Sequence, residues 1–198
     1  MIRNRAVFLD RDGTLNEEVS YLSSVEDLKI IPGAETALKE LRKAGYLNIV
    51  ITNQSGISRG FFTEEDLKEI HDELSARLQD DGRSLIDGIY YSPFHPEGKL
   101  ERYRIDSPDR KPGTGMIMRA AERFDLDLKE SFLIGDSLTD MQCAENAGLR
   151  KILVLTGYGR RTEEVCAGMG IDPEYVAEDI LDAAVYITGG FTIKQTGN

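Results

Sequence analysis

Only two of the 198 residues are cysteines, Cys143 and Cys166, and they stand far apart. A disulfide-stapled secreted scaffold is therefore excluded, and a reducing, cytoplasmic setting is the default expectation. Basic residues are also scarce: 24 Lys and Arg face 35 Asp and Glu, a formal net charge of −11. Nucleic-acid affinity comes largely from counterions released by clustered cations, so a chain this acidic is not expected to bind DNA or RNA. No apolar run approaches the roughly 20 residues that cross a bilayer, so no membrane partner is expected. The opening Met1-Ile2-Arg3-Asn4-Arg5 carries no cleavable signal pattern. No repeat, low-complexity tract or linker divides the sequence. One domain over residues 1–187 is expected, monomeric, with a polar glycine-bearing tail over 188–198 that frays.

What is present is a 40% hydrophobic content, enough for a sizeable core. Strand-like runs alternate with helical patterns: Ala6–Leu9, a helix over Ala34–Lys43, Leu47–Ile51, a helix over Glu64–Leu78, then Ile86–Tyr91. After a polar stretch from Pro93 to Gly113 the alternation resumes with a helix over Met116–Phe124, Ser131–Ile134, a helix over Thr139–Ala147, and Lys151–Leu155. Buried parallel strands need crossover helices, so this grammar predicts an α/β fold, an open doubly wound sheet with helices on both faces.

In such sheets ligands bind beyond the carboxyl ends of the strands. Those positions read Asp10-Arg11-Asp12-Gly13-Thr14, Thr52-Asn53-Gln54-Ser55-Gly56 and Gly135-Asp136, while Arg110-Lys111-Pro112 closes the polar stretch. Asp10, Asp12 and Asp136 make a hard, oxygen-rich set suited to Mg²⁺. A bound cation would offset the repulsion between an anionic carboxylate nucleophile and an anionic phosphate. Asp10 can then be the nucleophile, and Asp12, in the same turn, the proton donor and later the base. Lys111 supplies a fixed positive charge, and the Thr52 hydroxyl with the amides near Asn53 can donate hydrogen bonds to the phosphoryl oxygens.

Four motifs in this order, DRDGTLN, TNQSG, RKP and GDSLTD, resemble the haloacid dehalogenase superfamily of aspartate-nucleophile phosphatases. Within it the chain is similar to the small heptose bisphosphate phosphatases and the related histidinol-phosphate phosphatases. The segments that carry this likeness are VITNQSGISRGFFTEEDL, DGIYYSPFHPEG, DRKPGTGM and GDSLTDMQCAENAG, and it runs from about Arg5 to about Gly159. The resemblance implies a three-layer Rossmann-like fold with a mostly parallel central sheet and no large cap domain. It implies Mg²⁺ on Asp10, the Asp12 carbonyl and Asp136, catalysis by Asp10, Asp12, Thr52 and Lys111, and a small phosphorylated sugar as substrate. By the same resemblance Glu18, Val19, Ser20, Tyr21, Asn53, Gln54, Ser55 and Arg110 hold that substrate, with Arg110 on the phosphate that is not removed.

The pattern breaks at one loop. Many relatives bind zinc through Cys-Pro-His and Cys-x-Cys, where this chain has Ser92, Phe94, Ser107 and Asp109. Serine and phenylalanine do not replace thiolate or imidazole, so no structural zinc is expected, and the loop must be ordered by packing. Ser137 stands where the heptose enzymes often carry lysine. Three simpler readings compete: Asp10–Asn16 as a calcium loop, a histidinol-phosphate or other small phosphomonoester substrate, and a non-catalytic Mg²⁺ or phosphometabolite-binding module. Asp140 reads as a helix cap more than a ligand, His71 as an exposed or partly packed helix residue, and Cys143 as a small apolar side chain.

Overall fold

The computed structural model describes residues 3–190; most of the tail expected to fray, 191–198, lies outside them. In chain order the elements are β1 (Arg5–Leu9), a 3₁₀ turn at Val25–Asp27, α1 (Ala34–Lys43), β2 (Tyr46–Asn53), α2 (Gly56–Arg59) and α3 (Glu64–Arg77). A two-residue hairpin, β3 (Gln79–Asp80) and β4 (Arg83–Ser84), precedes β5 (Gly88–Ser92), a 3₁₀ turn at Glu101–Tyr103 and α4 (Gly115–Phe124). Then follow β6 (Phe132–Gly135), α5 (Leu138–Ala147), β7 (Arg150–Val154), α6 (Gly159–Met169), β8 (Tyr175–Ala177) and α7 (Ile180–Ile187).

The central sheet runs β5-β2-β1-β6-β7-β8, and every pairing in it is parallel. From Ala6 to Leu9 no side chain of β1 is exposed, so the run is apolar instead of alternating, as a strand covered on both faces requires. Val7 and Leu9 pack in one layer with Leu38 and Leu41 of α1, Ile70 and Leu74 of α3 and Ala183 of α7. Ala6 and Phe8 face the other layer, with Met116 and Ile117 of α4 and Cys143 and Ala144 of α5. Each buried Val, Leu, Ile, Phe or Met among them contributes about 1.5–3 kcal/mol by leaving water. The three layers and the parallel central sheet match the expected fold.

Local signals set the helix starts. Thr63 and Asp66 form a reciprocal capping box on α3, and Ser137 and Asp140 form another on α5. The chain winds outward from β1 through β2 to β5, then returns to the other side of β1 as β6. A crevice opens at this reversal, at the carboxyl ends of β1, β2 and β6. Most of the expected boundaries hold within one residue, and two move by two: β2 runs on to Asn53, not Ile51, and β5 begins at Gly88, not Ile86. Leu85 and Ile86 fill the core just after the hairpin, and pairing starts only where Gly88 meets Ile49.

Candidate active site

Asp10 extends the β1 ladder by one bond, from its N–H to the Ile134 carbonyl at 2.9 Å. The chain then folds into a tight turn in which the N–H groups of Leu15 and Asn16 both reach the Arg11 carbonyl. Gly13 turns this corner at φ +78°, and a Cβ there would lie 2.2 Å from Asp136 Oδ2. Gly157, in the turn after β7, comes as close: its Cβ would lie 2.1 Å from the same oxygen. Two glycines on separate turns thus press against one carboxylate, and no larger residue fits either place.

Lys111 is buried beneath this turn. Its ammonium donates to Asp10 Oδ1 at 2.9 Å, Asp140 Oδ1 at 2.6 Å and the Ile51 carbonyl at 3.1 Å. Burial works against that charge, but Asp10 and Asp140 together hold the lysine pKa above its ordinary value. One oxygen from each of Asp10, Asp136 and Asp140 lies within 4.8 Å of the others, so the carboxylates outnumber the lysine. Burial and the Asp140 charge raise Asp10 well above the usual carboxylate range, and push Asp136 up to about 7.

Asp140 is already engaged on both oxygens, by Lys111 and by the Ser137 N–H (3.1 Å) and hydroxyl (2.5 Å). It anchors the lysine and caps α5 at once. Asp136 accepts only the Tyr158 N–H, at 2.7 Å, among the described residues. Asp10 and Asp136 therefore remain to face a cation, and hard oxygens carrying surplus negative charge fit Mg²⁺. The Asp12 carboxylate points elsewhere, so from that residue the backbone carbonyl is the group left for such an ion.

Asp12 sits among donors. Arg11 forks onto it through Nη2 at 2.7 and 2.9 Å and Nε at 3.1 Å, while Asn16 and Gln54 each add a bond at 2.9 Å. Burial alone would raise its pKa, but the Arg11 charge and these bonds hold it below the ordinary value. Arg11 is itself fully buried, and its Nη1 lies 3.2 Å from His71 Nε2. The expectation for His71 needs correction here. It is buried, 8% exposed, and burial together with the Arg11 charge drives its pKa down to about 3. A neutral imidazole can accept from Arg11, so His71 anchors the arginine that anchors Asp12.

Above this floor lies a cavity of ≈ 320 Å³. Asp10, Asp12, Thr52, Lys111 and Asp136 line its base, Asn53, Gln54 and Ser55 one side, and Glu18, Val19, Ser20 and Tyr21 the rim. The Gln54 amide bridges Asp12 and Thr52 Oγ1, at 2.9 and 2.8 Å. Asn53 clips the Lys111 backbone in both directions, donating to its carbonyl at 3.1 Å and accepting its N–H at 3.0 Å. Burial and the Asp12 charge raise Glu18 to about 7, and the Tyr158 hydroxyl donates to it at 3.4 Å. Arg110 alone of the expected site residues does not line the cavity. Its Nη1 donates to the Phe94 carbonyl at 3.2 Å, which draws it into the neighbouring loop.

Tyr158, Ser137 and Thr139 line the cavity without having been singled out as ligand groups. Tyr158 follows β7, and the strand-end rule could have found it. Ser137 and Asp140 carry the S-x-x-D spacing of a cap, but that spacing does not reveal that Asp140 also holds Lys111 from another segment. The calcium-loop reading fails on geometry: Asp10–Asn16 leaves a central parallel strand, not a helix.

The loop that departs from the zinc pattern is ordered by other means. Ser92 is buried at the end of β5, Phe94 packs on Tyr103 at 6.2 Å between ring centroids, and Asp109 pairs with Arg119. Ser107 Oγ accepts the Asp109 N–H at 3.2 Å. Tyr91 and Tyr103 both donate to Glu64 of α3, each at 2.5 Å, which ties the loop to that helix.

Three comparisons agree with this geometry. The HAD-hydrolase-like family model matches residues 109–183. A D-glycero-D-manno-heptose-1,7-bisphosphate 7-phosphatase of Thermosynechococcus vestitus is 40% identical over 185 residues, covering 92% of this chain and 94% of that protein. A D-glycero-beta-D-manno-heptose-1,7-bisphosphate 7-phosphatase of Haemophilus ducreyi is 43% identical over 154 residues, 77% of this chain and 84% of that one. The crystal structure of D,D-heptose 1,7-bisphosphate phosphatase from B. bronchiseptica, complexed with magnesium and phosphate, superposes with a TM-score of 0.81 at 34% identity, covering 93% of this chain and 98% of that one. With its strand-end acids, buried lysine and parallel sheet, the chain belongs to the D-glycero-D-manno-heptose-1,7-bisphosphate 7-phosphatase family of HAD-like hydrolases.

Proposed function

We propose that the chain is a Mg²⁺-dependent phosphatase that removes the 7-phosphate of D-glycero-D-manno-heptose 1,7-bisphosphate through an aspartyl-phosphate on Asp10. One observation carries the reading: Lys111, delivered by a loop, lies 2.9 Å from Asp10 within a carboxylate cluster that the ends of β1 and β6 bring together. Asp10, Asp136 and the Asp12 carbonyl would hold Mg²⁺, which would supply the positive charge that lets two anions meet.

The chain's own residues do the rest. An Asp10 oxygen attacks phosphorus, the bond from phosphorus to the sugar oxygen breaks, and that oxygen leaves with a proton from Asp12. Water then attacks the phosphorus, Asp12 takes its proton, and Asp10 is released as a carboxylate. Lys111 faces the phosphoryl oxygens with a charge that does not titrate at neutral pH. Thr52 Oγ1 accepts from Gln54, which leaves its own hydrogen to donate into the cavity. The donors around Asp12 suit the base role directly. The acid role requires a proton on Asp12, so the Arg11 and Gln54 bonds must loosen as the substrate oxygen approaches.

The test is a steady-state panel of both anomers of heptose 1,7-bisphosphate, histidinol phosphate and fructose 1,6-bisphosphate. The largest kcat/KM on a heptose bisphosphate supports the reading. A preference for histidinol phosphate overturns the substrate, and turnover no higher than background overturns the hydrolase.

A further inference from the structure

Beside the cavity, α2 ends at Arg59 and the wall loop brings His95 and Arg110 against it. Arg59 Nη2 lies 3.5 Å from His95 Nε2, and Arg110 Nη1 reaches the carbonyl of the preceding residue, Phe94. Both guanidinium groups thus converge on two consecutive loop residues. The segments are fixed to one another: the Leu100 N–H donates to the Ser58 carbonyl at 2.9 Å, and Asn53 holds the Lys111 backbone next to Arg110.

The hydrogen-bond directions around His95 conflict. Its Nδ1 accepts the Glu97 N–H at 3.1 Å, and an imidazole that accepts on Nδ1 carries its proton on Nε2. Nε2 and Arg59 Nη2 therefore face each other as donor against donor. Arg59 Nε is buried and bonded to no group of the described residues. Arg42, Arg77, Arg119 and Arg150 each have a carboxylate partner, whereas among the described residues no carboxylate lies within 4.0 Å of Arg59 or Arg110. Burial and the two arginines also depress His95, consistent with a neutral ring in a positive field.

Two guanidinium groups and an imidazole N–H that share no acceptor match a compact anion with several oxygens, a phosphate before a carboxylate. Tyr21, on the cavity rim, packs on Phe61 at 4.6 Å between centroids, two residues beyond Arg59, and its hydroxyl acts on the Arg110 charge, so the donors border the rim without lining the cavity itself. We propose that Arg59 and His95 join Arg110 in seating the phosphate that stays on the substrate, with Arg59 setting the preference for bisphosphates over monophosphates. This rests on the reading of the substrate as a sugar bisphosphate.

The experiment compares kcat/KM for D-glycero-D-manno-heptose 1,7-bisphosphate with that for the corresponding 7-phosphate, in the parent, Arg59→Gln and Arg59→Lys. The ratio should fall roughly tenfold or more in Arg59→Gln, mainly through KM, the loss expected of one charge-assisted contact. Arg59→Lys should recover part of it, since it restores charge without the fork. Equal losses on the two substrates would make Arg59 a strut for the loop and overturn the proposal. A parent without preference for the bisphosphate overturns the substrate reading and this inference with it; a preference kept intact by Arg59→Gln overturns this inference alone. Should Arg59→Gln fail to fold, His95→Phe removes the Nε2 donor, and an unchanged ratio there overturns the three-donor seat.

Discussion

On the cavity floor three carboxylates cluster beside one lysine, which bonds two of them, while on the wall two tyrosine hydroxyls share one glutamate. Burial first and the Asp140 charge second make Asp10 and Asp136 both titrate high on the floor, and a divalent cation would relieve them. The wall balances without any ion: hydrogen bonds from Tyr103 and Tyr91 keep Glu64 below its ordinary pKa, and burial with the Glu64 bond raises Tyr91 to about 12. Metal dependence should therefore belong to the floor alone. Asp10→Asn should lower turnover by on the order of 10⁴-fold or more without loss of thermal stability, because it removes the reacting oxygen and relieves like-charge repulsion. Removing Mg²⁺ should abolish activity, whereas a zinc-selective chelator in excess Mg²⁺ should leave it. Inhibition by that chelator would erase the contrast between floor and wall.

The second largest effect should come from the lysine. Lys111→Met keeps most of the side-chain volume but leaves Asp140 buried without its cation, so metal-free protein should lose about 3–5 kcal/mol in urea unfolding. A loss under 1 kcal/mol would mean that the floor is less strained than its geometry implies.

Floor and wall also differ in how far they could be read from residues alone. β1, β2, β6 and β7 were legible because their strands are mostly apolar runs bounded by turn residues, and the ends of β1, β2 and β6 announced their ligand groups. α6, β8 and α7 were not. α7 reads Ile-Leu-Asp-Ala-Ala-Val-Tyr-Ile, apolar on nearly every side, and β8 has only three residues, so neither offers a period. Pairings across the chain were equally hidden. Lys111 finds Asp140 29 residues away, and Arg11 finds His71 60 residues away. His71 lies within Glu69-Ile70-His71-Asp72-Glu73, where the neighbouring charges signal solvent, yet its own side chain falls on the stripe of Leu67, Ile70 and Leu74. Arg110 was legible as a charge but not as a direction, because the Phe94 carbonyl that turns it belongs to the loop that lost the zinc pattern.

Between floor and wall, His71 gives a pH signature. Its folded pKa of about 3 lies below the ordinary 6.5, so the unfolded chain binds the extra proton first. The contribution is complete above pH 6.5 and fades as pH falls toward 3, with about 2 kcal/mol lost at pH 5. The raised carboxylates of the floor act with the opposite sign over part of this range, so the useful quantity is a difference. Stability of the parent minus that of His71→Gln, whose amide oxygen can still accept from Arg11, should decline from pH 7 to pH 5. A flat difference would place His71 in contact with water.

The wall should give the smallest response. Tyr103→Phe removes one of the two hydroxyls on Glu64 but keeps the ring that packs on Phe94, so the loss should be about 1 kcal/mol, the net value of one hydrogen bond. Tyr91 continues to hold Glu64, so the loop should loosen rather than detach. Loosening it moves His95 and Arg110 but not Lys111, which Asn53, Ile51 and Asp140 hold from the floor side. KM for a bisphosphate should therefore rise a few-fold while kcat stays within about twofold, since the groups around the reacting phosphorus keep their places. If kcat fell as steeply as KM rose, floor and wall would be one mechanical unit, and the separation of metal chemistry from substrate grip would not hold.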